Sequence, residues 1–479
     1  MVYEQTDHGR PPTQLYIGGA WHDSEDGIEV RDLTDGTTFA TVAAARHGQA
    51  KSAVESAVGA QRQMRESTIP ERAEWLSAIA EGIADRTAAL SETIVREAGK
   101  PIPSARSEVD SAAERFRRAV EEARNVEGSY REGTTAGHEG WKALVRPEPV
   151  GTVLCISPYN YPLATAALQV APALAAGNSV VLKPASNTPV SAAMLAEVVD
   201  EVGLPDGAVN LVTGRGSEVG DALAGDERID AIAMTGSSGA GKHIARESEM
   251  VELHMELGGN APLVVFPDAD LDEAAAAAAK GSLKYAGQRC SAVSRVLAHD
   301  SVHDELADRI DAAMGEWNRG DLFEESTDIG PLIDADHADW VEQLVDDASE
   351  RGAEVVRGGD RDGTWFEPTV LADVPREADI VTDEQFGPVC PVIPVEDETE
   401  AIEVANSGDL ALDASVFTSD YDRAMTMADR IDAGAVRING APSHGLADIP
   451  YGGNEDSGIG REGLGVTIES FLTTKTIVL

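Results

Sequence analysis

Residues 151–185, GTVLCISPYNYPLATAALQVAPALAAGNSVVLKPA, hold the pattern on which the fold turns. GTVLCIS is an apolar run of strand length, LATAALQVAPALAAG has helix length and composition, and SVVLKPA is a second strand-like run. The alternation continues through TPVSAAMLAEVVDEV as a helix, AVNLVTG as a strand, SEVGDALAGD as a helix and IDAIAMTG as a strand. Strands separated by helices predict a parallel sheet covered on both faces, the doubly wound α/β class whose ligands bind at the carboxyl ends of the strands. A second series, from APLVVF through LDEAAAAAAKGSLKYAG to SRVLAHD and on to about residue 440, repeats the theme. Residues 50–125 read instead as a set of packed amphipathic helices.

The 479 residues suit two or three domains. There are 84 acidic against 38 basic side chains, a formal charge of −46. Self-repulsion on that scale strains a compact fold in dilute buffer, and concentrated salt relieves it by shortening the screening length. The expectation is a salt-adapted (halophilic) cytoplasmic protein without nucleic acid or membrane partners. The start, MVYEQTDHGRPP, has neither the basic nor the apolar region of a leader. Cys155, Cys290 and Cys390 are far apart with no CxxC pair, which argues against a disulfide framework and a zinc site; no metal is expected. The aspartates 268, 270 and 272 crowd a helix start, where the dipole favours negative charge.

Cys155 and Cys390 sit in apolar runs and read as core thiols. Cys290 sits in the polar turn GQRCS, where a cationic neighbour such as Arg289 can lower the thiol pKa; alone, it reads equally as reactive or structural. Glu256 in ELGGN reads as a surface glutamate or one projecting into a cleft. Asn160 in PYNYP and Lys183 in KPA stand at the carboxyl ends of successive strands, where ligands bind, although turns use the same residues. The loop Gly214-Arg-Gly216-Ser-Glu-Val-Gly220 misses the GxGxxG spacing by one residue.

Taken together, PYNYP, KPA, TGS, ELGGN, GQRC, EQFGP and PYGG…SGIGREG occur in the order and at about the intervals of the aldehyde dehydrogenase superfamily, which the chain resembles over nearly its whole length. INGAPSHGLADIPYGGNEDSGIGREG and the GQRC context look most like the archaeal non-phosphorylating glyceraldehyde-3-phosphate dehydrogenases and their lactaldehyde-type relatives. The resemblance implies a fold of two Rossmann-like domains with a β oligomerisation arm. Residues 1–126 and 148–256 would form the dinucleotide-binding domain and 257–456 the catalytic domain. Residues 127–147 and 457–479 would pair subunits into a homodimer or homotetramer, since an apolar β terminus left unpaired is a liability.

The same resemblance implies Cys290 as nucleophile, Asn160 with the Cys290 backbone N–H as oxyanion donors, and Glu256 as the base that activates water. Relatives that pass the acyl group to coenzyme A usually lack this glutamate, so a free acid is the expected product. For the cofactor it implies Lys183 at the adenosine ribose, Gly216 and Gly220 near the adenine, Ser237 at the pyrophosphate, and Glu384 at the nicotinamide ribose beside Phe386. Ser157, Tyr159, Gly236 and Leu257 would complete that groove. Many NAD-preferring relatives carry Glu where this chain has Ser186, so NADP is the expected cofactor, with NAD possible. For the substrate it implies Tyr161, Arg289, Ser291 and His444; the family's later arginine is missing, with Ser443, His444 and Gly445 in its place. A hydroxyaldehyde such as glyceraldehyde 3-phosphate, glyceraldehyde or lactaldehyde is expected. Succinate or 2-oxoglutarate semialdehyde would engage Arg289 equally well.

Overall fold

The computed structural model describes residues 12–443 and 449–479. Its first sheet runs in the order Ala20–His22, Leu15–Ile17, Val209–Leu211, Ser179–Lys183, Thr152–Ile156, Ala231–Thr235, Glu252–Glu256, Gly458–Ile459. The five strands between residues 152 and 256 are parallel, and the chain order reverses between Thr152–Ile156 and Ala231–Thr235. That reversal opens a crevice at the carboxyl edge, where a doubly wound sheet binds its ligand. Alternate residues of the same strands serve opposite faces: Val153 and Cys155 join one core, Leu154 and Ile156 the other. Cys155 and Cys390 are core thiols, as expected.

Four helices, α1 (His47–Glu66), α2 (Ile69–Asp85), α3 (Thr87–Ala98) and α4 (Ile102–Ala123), make up the predicted helical region. Thr68 and Glu71 form a reciprocal capping box that starts α2. Helix α5 (Pro162–Ala176) begins on Pro162, ends at Gly177 in the left-handed region, and is buried along its whole length. Helix α6 (Val190–Val202) follows the next strand. The segment SEVGDALAGD is not one regular helix: a π turn at Gly216–Gly220 leads into a short α turn at Asp221–Ala224.

The second sheet runs Glu354–Arg357, Thr369–Ala372, Val389–Val395, Val293–His299, Ala261–Val265, Asp413–Phe417, Ala435–Ile438, all parallel except the first strand. Of the three clustered aspartates, Asp270 caps the helix Leu271–Leu283. Asp268 does something else, accepting hydrogen bonds from Thr418 and Ser419 and pairing with Arg423. A third sheet joins Ser129–Glu132, Lys142–Pro149 and Leu472–Val478. The C-terminal strand is therefore not unpaired: every residue from Leu472 to Val478 faces a partner between Pro149 and Ala143. Among the described residues no helix is long and apolar enough to cross a membrane.

Candidate active site

Between the two sheets lies a cleft of about 1250 Å³. Every residue picked from the sequence lines it except His444, which falls outside the described residues. Glu256 ends its strand there, Asn160 stands one residue before the α5 N-cap, and Cys290 lies between the helix Leu271–Leu283 and the strand Val293–His299. The three come from separate segments of the chain, and the Cys290 thiol is within hydrogen-bonding reach of the Glu256 carboxylate. The Asn160 amide donates to the Gln288 carbonyl at 2.9 Å. One N–H of that amide thus orients the side chain and the second remains for a ligand.

Two devices bring these segments so close. A Cβ at Gly259 would collide with the Cys290 carbonyl oxygen, so only glycine lets the ELGGN turn lie against the cysteine. Before Cys290, three successive residues, Tyr285 (φ 56°), Ala286 (φ 51°) and Gly287 (φ 73°), adopt left-handed backbone. For tyrosine and alanine this costs roughly 1–2 kcal/mol each. The Tyr285 hydroxyl donates to the Ala98 carbonyl at 2.6 Å, and the Gln288 amide bridges the Pro331 carbonyl and the Ile333 N–H, which hold the turn in place.

The thiol is not held low, and Arg289 is not among the groups that move it most. Its guanidinium turns back onto the Ser291 carbonyl and hydroxyl at 3.0 and 3.2 Å. Burial, then the neighbouring Glu256, with Asp413 and Glu384 farther off, push the thiol well above its usual range. Glu256 is not a surface group either; it is 2% exposed, with one carboxylate oxygen lacking any hydrogen-bond partner. Burial and the nearby Glu462 hold its pKa well above that of an ordinary glutamate. Glu462 went unnoticed in the sequence, as did Tyr451, whose hydroxyl donates to it at 2.6 Å.

The cofactor side carries polar groups that the protein leaves unused. Among the described residues, the buried Ser157 hydroxyl has no partner and the buried Lys183 ammonium donates only to the adjacent Pro184 carbonyl. Burial lowers the Lys183 pKa to about 8. The Ser186 hydroxyl donates to the Gly214 carbonyl. Ser237 caps the helix Ser238–Glu247, whose N-terminus lines the cleft and suits a phosphate. Glu384 accepts the Gly259 N–H at 2.9 Å and is raised to about 7 by burial. Phe386 meets Tyr159 edge to face, and His337 and Trp340, not singled out from the sequence, hold the backbone carbonyls of Phe386 and Glu384. These donors fit a dinucleotide.

Helix α4 lines the other end with Ser104, Ser107, Glu108, Ser111 and Arg115. Tyr161, Arg289, Ser291, Lys100 and Lys284 complete it.

A dinucleotide-ordered sheet that faces a second sheet across a cleft, with a thiol and a carboxylate meeting inside, defines a pyridine-nucleotide oxidoreductase. The chain belongs to the aldehyde dehydrogenase family, whose model matches residues 21–477. It is 37% identical over 465 residues to the NADP-dependent glyceraldehyde-3-phosphate dehydrogenase of Streptococcus equinus, covering 97% of this chain and 98% of that one. Identity to the glutarate-semialdehyde dehydrogenase of Pseudomonas putida is 36% over 473 residues, 97% of each chain. Identity to the lactaldehyde dehydrogenase of Methanocaldococcus jannaschii is 34% over 472 residues, 97% of this chain and 100% of that one. The NADP complex of the glyceraldehyde-3-phosphate dehydrogenase of Bacillus halodurans C-125 superposes with a TM-score of 0.96 at 36% identity, covering 98% and 99% of the two chains. The protein is an NAD(P)-dependent aldehyde dehydrogenase.

Proposed function

We propose that the protein oxidises a small anionic aldehyde, D-glyceraldehyde 3-phosphate first among the hydroxyaldehydes, to the free acid, and prefers NADP. The observation that carries the substrate class is the charge of the α4 end: Arg115, Lys284 and Arg289 line it, while Lys100 is already paired with Glu108. Arginine's fixed fork of donors suits a phosphate or carboxylate. Carboxylated semialdehydes remain the second reading, because the same cations would hold them and a glutarate-semialdehyde dehydrogenase is nearly as similar. Ser186 supports NADP, since no carboxylate there repels a 2′-phosphate.

In this reading Cys290 releases its thiol proton to solvent and attacks the aldehyde carbon as the thiolate. The free N–H of Asn160 and the Cys290 backbone N–H stabilise the resulting oxyanion. Lys183, Ser237 and Glu384 would hold the nucleotide, which would supply the acceptor for the hydride that leaves the aldehyde carbon. Glu256 then takes a proton from the water that hydrolyses the thioester on Cys290. We assign residues 1–126 and 148–256 to cofactor binding, 257–456 to catalysis, and 127–147 with 457–479 to subunit pairing. The high acidity is salt adaptation in a cytoplasmic enzyme.

Comparing kcat/KM across phosphorylated trioses, free trioses and semialdehydes in high salt tests the substrate. Equal turnover of glyceraldehyde and its phosphate would remove the role given to the cations. Cys290→Ser should abolish NADPH formation with cofactor affinity nearly intact, and retained turnover would refute the nucleophile.

A further inference from the structure

One buried ion pair touches both the segment that carries Asn160 and the segment that carries Cys290. Lys100, just beyond the left-handed Gly99 that ends α3, and Glu108 on α4 are each 1% exposed and paired to each other. One Glu108 oxygen accepts the backbone N–H groups of Leu163 and Ala164, at 3.1 and 3.2 Å, in the first turn of α5. That turn begins directly after Asn160 and Tyr161. The Lys100 ammonium also lies 3.5 Å from the centre of the Tyr161 ring and 4.5 Å from that of Tyr285, and the two rings meet edge to face. Tyr285 opens the left-handed turn that delivers Cys290, and its hydroxyl is tied to Ala98, two residues before Lys100.

A buried ion pair adds little net stability, because desolvation offsets the attraction. What this pair does supply is geometry: its cation is the shared contact of the segment bearing the amide and the segment bearing the thiol, which arrive from different sheets. We propose that Lys100 and Glu108 are positioning residues that set Asn160 against Cys290, the cation through the faces of Tyr161 and Tyr285, the carboxylate through the first turn of α5. This rests on the roles proposed above for Cys290 and Asn160.

The test measures K100M, K100R and E108Q at high salt, with glyceraldehyde and glyceraldehyde 3-phosphate as substrates, alongside NADP affinity and thermal melting. K100M should lower kcat roughly ten- to hundredfold for both aldehydes alike, since a misplacement of about 1 Å costs that much. KM and NADP affinity should stay within about threefold by the same reasoning, because no substrate or cofactor contact is removed. K100R, which keeps the charge and the ring contacts, should recover most of the rate and folds even where K100M does not. E108Q should fall between, since glutamine still accepts the α5 N–H groups but leaves the ammonium unpaired. An unchanged kcat in K100M overturns the proposal. So does a loss confined to KM for the phosphorylated aldehyde, which would make Lys100 a substrate contact. If C290S is inactive while K100M matches the wild type, only the positioning role fails; if C290S turns over, the reading beneath it fails.

Discussion

Arg295, five residues after Cys290, is the most instructive residue to change. Its side chain is completely buried, and among the described residues its guanidinium meets no carboxylate; instead it donates to the carbonyls of Asn260, Val381, Val404 and Ala405 and to Ser407. Val404 and Ala405 end the helix Glu398–Ala405, whose dipole favours a cation there. Asn260 follows the Gly259 N–H that holds Glu384, and Val381 lies three residues before Glu384, so Arg295 ties down the loop of a cofactor-side carboxylate. In Arg295→Lys the charge survives, but three ammonium donors cannot serve all these acceptors, and at least two go unsatisfied. At about 1–3 kcal/mol for each buried unsatisfied group, the loss is roughly 2–6 kcal/mol, a large share of a typical total of about 5–15 kcal/mol. Urea unfolding in high salt measures it, and NADP titration of the still-folded variant should show weakened binding. A loss below about 1 kcal/mol with unchanged NADP affinity would refute the reasoning.

Because burial and Glu462 raise the Glu256 pKa, its basic form appears only as pH rises, so kcat should climb toward alkaline pH. In Glu462→Gln the same limb should move to lower pH; an unmoved limb in the pH–rate profile would contradict the coupling. Glu256→Gln should still release one equivalent of NADPH per active site in a rapid burst and then stall at the thioester, which mass spectrometry would detect as a covalent adduct. Ser186→Glu should shift the kcat/KM ratio toward NAD by roughly tenfold or more, from repulsion between carboxylate and 2′-phosphate. The melting temperature should rise between 0.1 and 1 M KCl as the screening length falls from about 10 to about 3 Å; a flat response would argue against salt adaptation.

Much of the architecture was legible because its signals are local. Strand-helix alternation from Gly151 onward, and the apolar settings of Cys155 and Cys390, report directly on burial. The motif residues were readable only as a set, since each alone is ordinary turn or surface chemistry. Glu462 and Tyr451 lie inside the PYGG…SGIGREG motif but received no role, because the motif does not say which of its side chains reach the cleft; Arg115 lies outside every motif. For Arg115 a faint signal existed: Ser104, Ser107, Ser111 and Arg115 recur at helical spacing on one face of α4, a small polar stripe on a helix otherwise packed by alanine and apolar residues. The direction of the Cys290 pKa was misread for a related reason. Adjacency of Arg289 in sequence says nothing about where its guanidinium points, and the carboxylates that raise the thiol pKa come from residues 256, 384 and 413.

The left-handed run at Tyr285, Ala286 and Gly287 has a bearing on any attempt to transplant this chemistry. Cut out as a peptide, KYAGQRC would unwind toward commoner torsions, because the hydroxyl anchor on Ala98 and the glutamine bridge to residues 331–333 belong to other parts of the chain. The posture of the sulfur is thus on loan from the whole molecule, and borrowing the heptapeptide alone would leave its reactivity behind.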